Sequence, residues 1–162
     1  MNRFLISPYD IQYNQQCIDL ILGIQIEEFG IPISLADQPD LKNVENFYQQ
    51  GNGNFWIALN GDKVVGTIAL IDIGDAQVAL RKMFVAESFR GSDPGIAKAL
   101  LDTVIAWCNQ KQVHAIFLGT TSAYLAAHRF YEKHGFTLID KTHLPKQFPL
   151  MSVDSKFYRR IL

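Results

Sequence analysis

The chain has 162 residues, of which 48% are hydrophobic and 12% aromatic, so it has enough apolar surface to fill one core. We therefore expect a single domain over residues 1–162. Its 15 basic and 16 acidic residues leave a formal net charge of -1 without any long run of like charge, which argues against nucleic acid or an anionic membrane as a main partner.

The first half of the chain predicts a strand, two helices and a β-hairpin. A strand is expected over Arg3–Ser7, and apolar residues at helical spacing predict a helix over Asn14–Phe29. A second, weaker helical pattern covers Leu41–Gln50. The pair Asn60–Gly61 then separates the apolar runs FWIAL and VVGTIALIDI. Asn-Gly between two such runs predicts a hairpin, because type I′ turns need positive φ at both central positions.

A further strand is predicted over Val78–Val85, and its side-chain parity changes partway along. Apolar residues hold even positions up to Leu80 and odd positions from Met83 onward. A β-bulge would absorb this slip of one residue. The alternative is an ordinary strand with an exposed Arg81–Lys82 pair, and the pattern leaves both open.

The second half predicts helices that alternate with strands. GIAKALLDTVIAWCNQKQ has one apolar face and is a well-patterned amphipathic helix. AIFLGT, a helix near Ala123–His134 and a strand opening at Phe136 together predict a right-handed parallel βαβ unit. A loop and a closing strand in MSVDSKFYRRI complete a mixed sheet covered by helices.

The loop before the amphipathic helix has the composition of a phosphate site. Gly91 and Gly95 permit positive φ, Arg90 adds a permanent positive charge, and Asp93 and Pro94 fit the N-cap and first helical positions. Free N–H groups at a helix N-terminus beside an arginine attract phosphate. The alternative is a loop that only caps its own helix through Asp93.

Motifs of other classes are missing from the sequence. It contains no G-x-G-x-x-G, and GSDPGIAK lacks the spacing of a P-loop, which disfavours a dinucleotide fold or a nucleotidase. Cys17 and Cys108 share no short spacing with each other or with the four histidines, so neither a disulfide framework nor a metal site is predicted. The start MNRFLISPYD is too polar for a signal-peptide core, and a soluble cytoplasmic protein is the expectation.

The run LRKMFVAESFRGSDPGIAKALLDTVIAWC, followed by AHRFYEKHGF, resembles the two most characteristic motifs of the GCN5-related N-acetyltransferase (GNAT) superfamily, in the right order and separation. The two motifs span about residues 78–138. The resemblance implies an α/β fold of the GNAT type. Such a fold has a central, mostly antiparallel sheet with one parallel, bulged strand pair and helices on both faces.

The resemblance also implies a site for acetyl-CoA as co-substrate. The bulged strand would bind the pantetheine arm through backbone groups of Met83, Phe84 and Val85. The arginine–glycine loop would wrap the pyrophosphate with backbone amides. The residues that match this loop are Arg90, Gly91, Ser92, Gly95, Ile96 and Ala97.

The sequence departs from the family pattern in three places. The usual R-G-x-G-x-G/A spacing is stretched by two residues, so we expect an altered loop path with Asp93 turned away from the phosphates or capping the helix. Ala79 stands where many relatives carry a glutamate that serves as base, and Tyr124 replaces a family asparagine. The candidates that remain for the base are Glu27, Glu28, Asp72 and His143.

Tyr131 matches the family tyrosine that donates a hydrogen bond to the sulfur of departing CoA. The resemblance then implies transfer of an acetyl group to a primary amine, on a small molecule or a protein, by direct attack in a ternary complex. Neither cysteine is placed to act as a nucleophile. A non-catalytic CoA-binding or regulatory domain of the same fold is the alternative, and a homodimer is a further expectation because dimers are common among relatives.

Overall fold

The computed structural model describes residues 4–162, which contain seven strands and four α-helices. Arg3, the predicted start of the first strand, lies outside the described residues. The elements in chain order are β1 (Leu5–Pro8), α1 (Asn14–Leu22), α2 (Val44–Phe47), β2 (Asn54–Asn60), β3 (Lys63–Gly74), β4 (Gln77–Val85), α3 (Ile96–Gln110), β5 (Ala115–Thr120), α4 (Leu125–Lys133), β6 (Thr137–Ile139) and β7 (Lys156–Ile161).

All seven strands form one sheet in the order β1-β2-β3-β4-β5-β7-β6. Neighbouring strands are antiparallel except for β4 and β5, which are parallel. The predicted mixed, mostly antiparallel sheet with one parallel pair is therefore confirmed. Because β5 and β6 both run antiparallel to β7, they point the same way, and β7 lies between them.

Helices cover both faces of the sheet, as predicted. Five apolar residues of α3 are at most 1% exposed and pack against one face; these are Ile96, Leu100, Leu101, Val104 and Cys108. On the other face, α1 buries Cys17, Ile18 and Ile21 against β2 and β3. Burying one such side chain contributes roughly 1.5–3 kcal/mol, so these two faces fix the helices to the sheet. Within residues 4–162, no helix is long and apolar enough to cross a membrane.

Two local predictions differ from the structure. The hairpin between β2 and β3 forms, but Asn60 pairs with Lys63, so the turn residues are Gly61 and Asp62 and the predicted turn is one residue early. The helix predicted over Leu41–Gln50 is reduced to a short 3₁₀ turn and the single turn of α2. Tertiary contacts rather than helical periodicity determine the path of this segment, since Tyr48 is fully buried against β2.

Strand β4 contains a β-bulge, which decides between the two alternatives that the sequence left open. Thr67 on β3 pairs with Phe84, whereas Ala69 pairs with Arg81, so β4 has one extra residue. Lys82 occupies the bulge with a φ of 54°, and its carbonyl accepts a hydrogen bond from Thr67 Oγ1 at 2.6 Å. The bulge therefore carries the parity change from Leu80 to Met83, and Lys82 is buried rather than exposed.

Candidate active site

The parallel strands β4 and β5 separate beyond a short paired segment and leave a cleft. Gln77–Ala79 pairs with Ala115–Phe117, and the pairing ends where β4 approaches its bulge. Backbone groups of the two strands that face each other beyond this point have no sheet partner in the described ladder. Met83, Phe84 and Val85, the residues assigned to the pantetheine arm, lie on the β4 side of this cleft.

Helix α3 begins at the mouth of the cleft with its N-terminus uncapped. Gly91 and Gly95 have φ values of 102° and 79°, which glycine adopts at low cost. Gly95 is the N-cap, and no side chain caps the helix, so the prediction that Asp93 and Pro94 fill the N-cap and first helical positions is wrong. The left-handed conformation of Gly95 starts the helix two residues later. The first N–H groups of α3, including those of Ile96 and Ala97, remain available to an anion.

The Arg90 side chain does not stand free beside this helix end. Its Nε donates to the Val85 carbonyl at 2.9 Å, and its two terminal nitrogens contact the two Glu28 carboxylate oxygens at 2.5 and 2.7 Å. The hydrogen bond from Arg90 lowers the pKa of the Glu28 carboxyl. Glu28 therefore neutralises the positive charge of Arg90, which the sequence analysis assigned to phosphate. The groups of the loop that are free to bind an anion are its backbone amides. Ser92, the remaining residue of the predicted loop, is exposed.

Tyr131 lies on α4 and is only 5% exposed. It packs edge-on or tilted against Phe130, Phe136 and Tyr158, which fixes the ring. Burial raises the pKa of the Tyr131 phenol well above its usual value, with Asp154 adding to the effect. The phenol therefore stays protonated at neutral pH and keeps a hydrogen that it can donate.

Beneath the opposite side of the bulge lies a buried polar network centred on Lys82, which is 7% exposed. Its ammonium hydrogen-bonds to the Gln38 side chain and lies 3.6 Å from an oxygen of Asp40. Asp40 also accepts a 2.5 Å hydrogen bond from the hydroxyl of Tyr48. Burial lowers the pKa of Lys82 to about 8, against the opposing effect of Asp40. The network ties the bulge to the segment that follows α1.

Asp154, in the segment that precedes β7, lies against the backbone of β5. A Cβ placed on Gly119 of β5 would be 2.6 Å from its Oδ2, so the carboxylate lies directly against the β5 backbone. Burial raises the pKa of Asp154 to about 6, although Arg81, the Met151 backbone and Lys82 all favour its charged form. A carboxylate in this state is ionised at neutral pH yet basic enough to accept a proton.

The family and the structural neighbours of the chain agree with this fold and cleft. The model of the acetyltransferase (GNAT) family matches residues 20–136. The chain belongs to the GNAT family of acetyltransferases. A GNAT-family acetyltransferase from Staphylococcus aureus Mu50 superposes with a TM-score of 0.95 at 41% identity, covering 98% of this chain and 99% of that one. The PaiA N-acetyltransferase of Thermoplasma acidophilum, solved in complex with coenzyme A, shares the fold at 16% identity and a TM-score of 0.74, covering 99% of both chains.

A curated relative shares the sequence over a shorter region. The N-acetylaspartate synthetase of Danio rerio is 39% identical over 112 residues, which is 68% of this chain and 39% of that protein. The chain thus spans about two fifths of the length of that relative.

The four acidic or histidine residues that the sequence leaves as candidates for the base have different surroundings. Glu28 is held by Arg90, and Asp72 accepts hydrogen bonds from the backbone of Asn52 and Gly74. Glu27 and His143 are exposed. Ala79, which replaces the usual glutamate, is fully buried.

Sequence patterns did not indicate Asp154. It belongs to an irregular segment without a motif, and only the long-range pairing of β5 with β7 brings it to the cleft. The nearby Tyr124, which replaces the family asparagine, packs edge-on against Phe29 and Phe84 at 4.9 and 6.1 Å. An aromatic wall therefore stands where the family has an amide.

The described part of this GNAT chain shows no cluster of three or more His, Cys, Asp or Glu side chains that could hold a metal. Both cysteines are buried thiols, and burial raises the pKa of Cys17 and Cys108 to about 12. A thiol with so high a pKa is a weak nucleophile at neutral pH.

Proposed function

We propose that the protein is an acetyl-CoA-dependent N-acetyltransferase that transfers the acetyl group to a primary amine by direct attack in a ternary complex. The observation that carries this is the cleft between β4 and β5. It opens at the uncapped N-terminus of α3, Asp154 lies against the β5 backbone at Gly119, and the charge of Asp154 acts on the Tyr131 phenol. The N-acetyltransferase names of the relatives support nitrogen as the atom acetylated, and the fold neighbour that holds coenzyme A supports the cofactor.

The chain's own groups fit the co-substrate. The free N–H groups at α3 and the loop Arg90–Ala97 would bind its pyrophosphate, and the unpaired backbone of β4 from Met83 to Val85 would bind its pantetheine arm. The hydroxyl of Thr121, at the end of β5, is buried without a hydrogen-bond partner among residues 4–162. A buried orphan hydroxyl beside a cleft is satisfied when a ligand brings an amide or hydroxyl group there.

Asp154 and Tyr131 then have complementary roles. An amine that attacks the thioester carbon forms a C–N bond, and its nitrogen becomes more acidic as its lone pair enters that bond. Asp154 accepts the proton from nitrogen, which is general-base catalysis worth typically about 10²–10⁴-fold. Tyr131 donates a hydrogen bond to the sulfur as the C–S bond breaks. The products are the N-acetylated amine and free CoA.

The test is an isothermal titration with acetyl-CoA, alongside ATP and NADH as controls, followed by a thiol-release assay with a panel of amines. We expect micromolar binding of acetyl-CoA alone, on the order of 8 kcal/mol, and release of thiol when an amine is supplied. Binding without turnover across the whole panel would favour the non-catalytic CoA-binding domain. Absence of binding would contradict the proposal and leave only the fold.

A further inference from the structure

A cavity of about 550 Å³ lies next to the bulge of β4. Its walls come from the segment after α1, from the segment before β7, from Phe47 on α2 and from Arg81 on β4. The lining residues include Asp37, Asp40, Leu150 and Met151. A volume of this size accommodates a metabolite of a few to about a dozen heavy atoms.

Arg81 enters this cavity without a carboxylate partner in residues 4–162. Its Nη2 lies 2.8 Å from the sulfur of Met151, and its guanidinium is 5.9 Å from the centre of the Phe47 ring. A thioether and an aromatic face orient the side chain but do not neutralise its charge. Arg90 shows the contrast, since its guanidinium is matched by both oxygens of Glu28.

The acidic residues of the same wall already have partners. Asp40 is paired with Lys82 and hydrogen-bonded to Tyr48. Asp37 accepts hydrogen bonds from the backbone N–H and the hydroxyl of Ser34, each at 3.0 Å. The Ser34 groups are neutral, so Asp37 keeps its charge. Arg81 is the basic side chain of the cavity lining, and it forms no ion pair with a carboxylate within residues 4–162, although Asp154 interacts with its charge from a longer distance. A half-buried guanidinium with five donors in a planar fork matches a carboxylate best.

We propose that this cavity binds the acceptor through a carboxylate held by Arg81, so that the acceptor is an amino acid or a similar small amine that carries a carboxylate. The inference rests on the proposed acetyl transfer. Arg81 directly precedes the bulge, so a carboxylate bound there places an amine two or three bonds away near the cleft and near Asp154. A polyamine would bring further positive charge to Arg81 and is disfavoured.

The experiment compares matched ligands that differ only at the carboxylate. L-Aspartate, L-glutamate and glycine are each measured against the corresponding α-carboxamide, with spermidine as a cationic amine. Binding is measured by calorimetry in the presence of CoA, and turnover by thiol release. We expect each amino acid to bind at least about 10-fold more tightly than its amide, as charge-assisted hydrogen bonds allow.

Variants of Arg81 assign the discrimination to that side chain. Arg81→Met is expected to raise the KM of the amino acid at least about 10-fold and to abolish the preference over the amide, with acetyl-CoA affinity unchanged. Arg81→Lys keeps the positive charge and loses the planar guanidinium, so we expect its KM to fall between those of the parent and Arg81→Met. The lysine variant replaces the methionine variant if the latter does not fold. Arg129→Met, an exposed arginine on α4, is the matched control and leaves both constants unchanged.

The outcomes separate this inference from the proposed function. The carboxylate site would be overturned if the amides or spermidine were bound and acetylated as well as the amino acids. It would also be overturned if Arg81→Met left the KM unchanged. Acetyl transfer would stand in either case. Amino acids bound through Arg81 without any thiol release would support the site and remove the proposed activity. The inference is overturned if none of the three amino acids binds in calorimetry or supports thiol release.

Discussion

Replacing Asp154 by asparagine is expected to lower activity and to raise stability at neutral pH. The side chain keeps its shape and loses its charge. Burial raises the pKa of Asp154 from 3.8 to about 6, and each pKa unit is worth about 1.4 kcal/mol, so ionising the folded protein's carboxylate costs at most about 3 kcal/mol. Asparagine does not ionise, and the folded state of the variant escapes this cost.

The direction of the stability change with pH follows from the number of protons that the folded and unfolded states bind. Between pH 3.8 and about 6 the folded protein keeps the Asp154 proton while the unfolded chain releases it, so the free energy of unfolding falls as the pH rises through this window. Asp154→Asn should therefore be more stable than the parent by up to about 3 kcal/mol at pH 7, and the difference should vanish near pH 4. Urea unfolding at a series of pH values measures both.

Activity should change in the opposite direction. Loss of the base lowers kcat/KM by about 10²-fold or more and removes the rise of the pH–rate profile near pH 6, with acetyl-CoA affinity unchanged. Asp62→Asn, an exposed carboxylate in the β2–β3 turn, is the control and should alter neither quantity. A variant of Asp154 that keeps its activity, or that is less stable at pH 7 than at pH 4 relative to the parent, would refute the reasoning.

Three further predictions concern other parts of the cleft. Tyr131→Phe should lower kcat about 10- to 100-fold without changing the Kd of acetyl-CoA, because the phenol acts only on the departing sulfur; single-turnover thiol release measures this. Glu28→Gln should free the Arg90 guanidinium and tighten acetyl-CoA binding a few-fold at low salt, with at most about 1 kcal/mol lost from the free energy of unfolding. Lys82→Met should cost about 3 kcal/mol in urea unfolding because it leaves Asp40 charged and buried, and adding Asp40→Asn should restore most of that.

Each of these has a matched control. Tyr13→Phe, Glu27→Gln and Lys63→Met change the same residue types outside the cleft and should leave the corresponding quantity unchanged. Normal kcat in Tyr131→Phe would remove that residue from the mechanism. An acetyl-CoA Kd that is insensitive to Glu28→Gln would show that Arg90 does not act on the phosphates.

Local patterns were sufficient to predict the elements whose contacts are local. The apolar spacing of α3 matches its buried face, and the parity change in Val78–Val85 corresponds to the bulge at Lys82. The prediction of the N-cap of α3 was wrong. Composition suggested Asp93 as the N-cap, but the N-cap in the structure is Gly95. Local sequence indicates which groups are available for a cap but not which of them the loop path presents.

The acceptor side of the cleft required the tertiary structure. Asp154 reaches β5 only because β7 pairs with it, and Asp40 reaches Lys82 across a loop that has no regular pattern. The sequence interpretation assigned the charge of Arg90 to the phosphates, and it left open whether Arg81 and Lys82 form an exposed pair or lie at a bulge. In the structure Arg90 is paired with Glu28, whereas Arg81 lines a cavity and forms no ion pair with a carboxylate within residues 4–162.

The bulge explains why one short strand can serve both sides of the cleft. Side chains on a regular strand alternate, so Arg81 and Lys82 would face opposite sides of the sheet. The extra residue at Lys82, with its positive φ, turns the Lys82 side chain toward Asp40, which lines the same cavity as Arg81. The same insertion ends the pairing with β5 and exposes the backbone from Met83 onward. One added residue thus leaves backbone groups of β4 unpaired and brings two cations to the cavity. Lys82 anchors the cavity wall through Asp40, and Arg81 is the side chain that we propose as the carboxylate ligand.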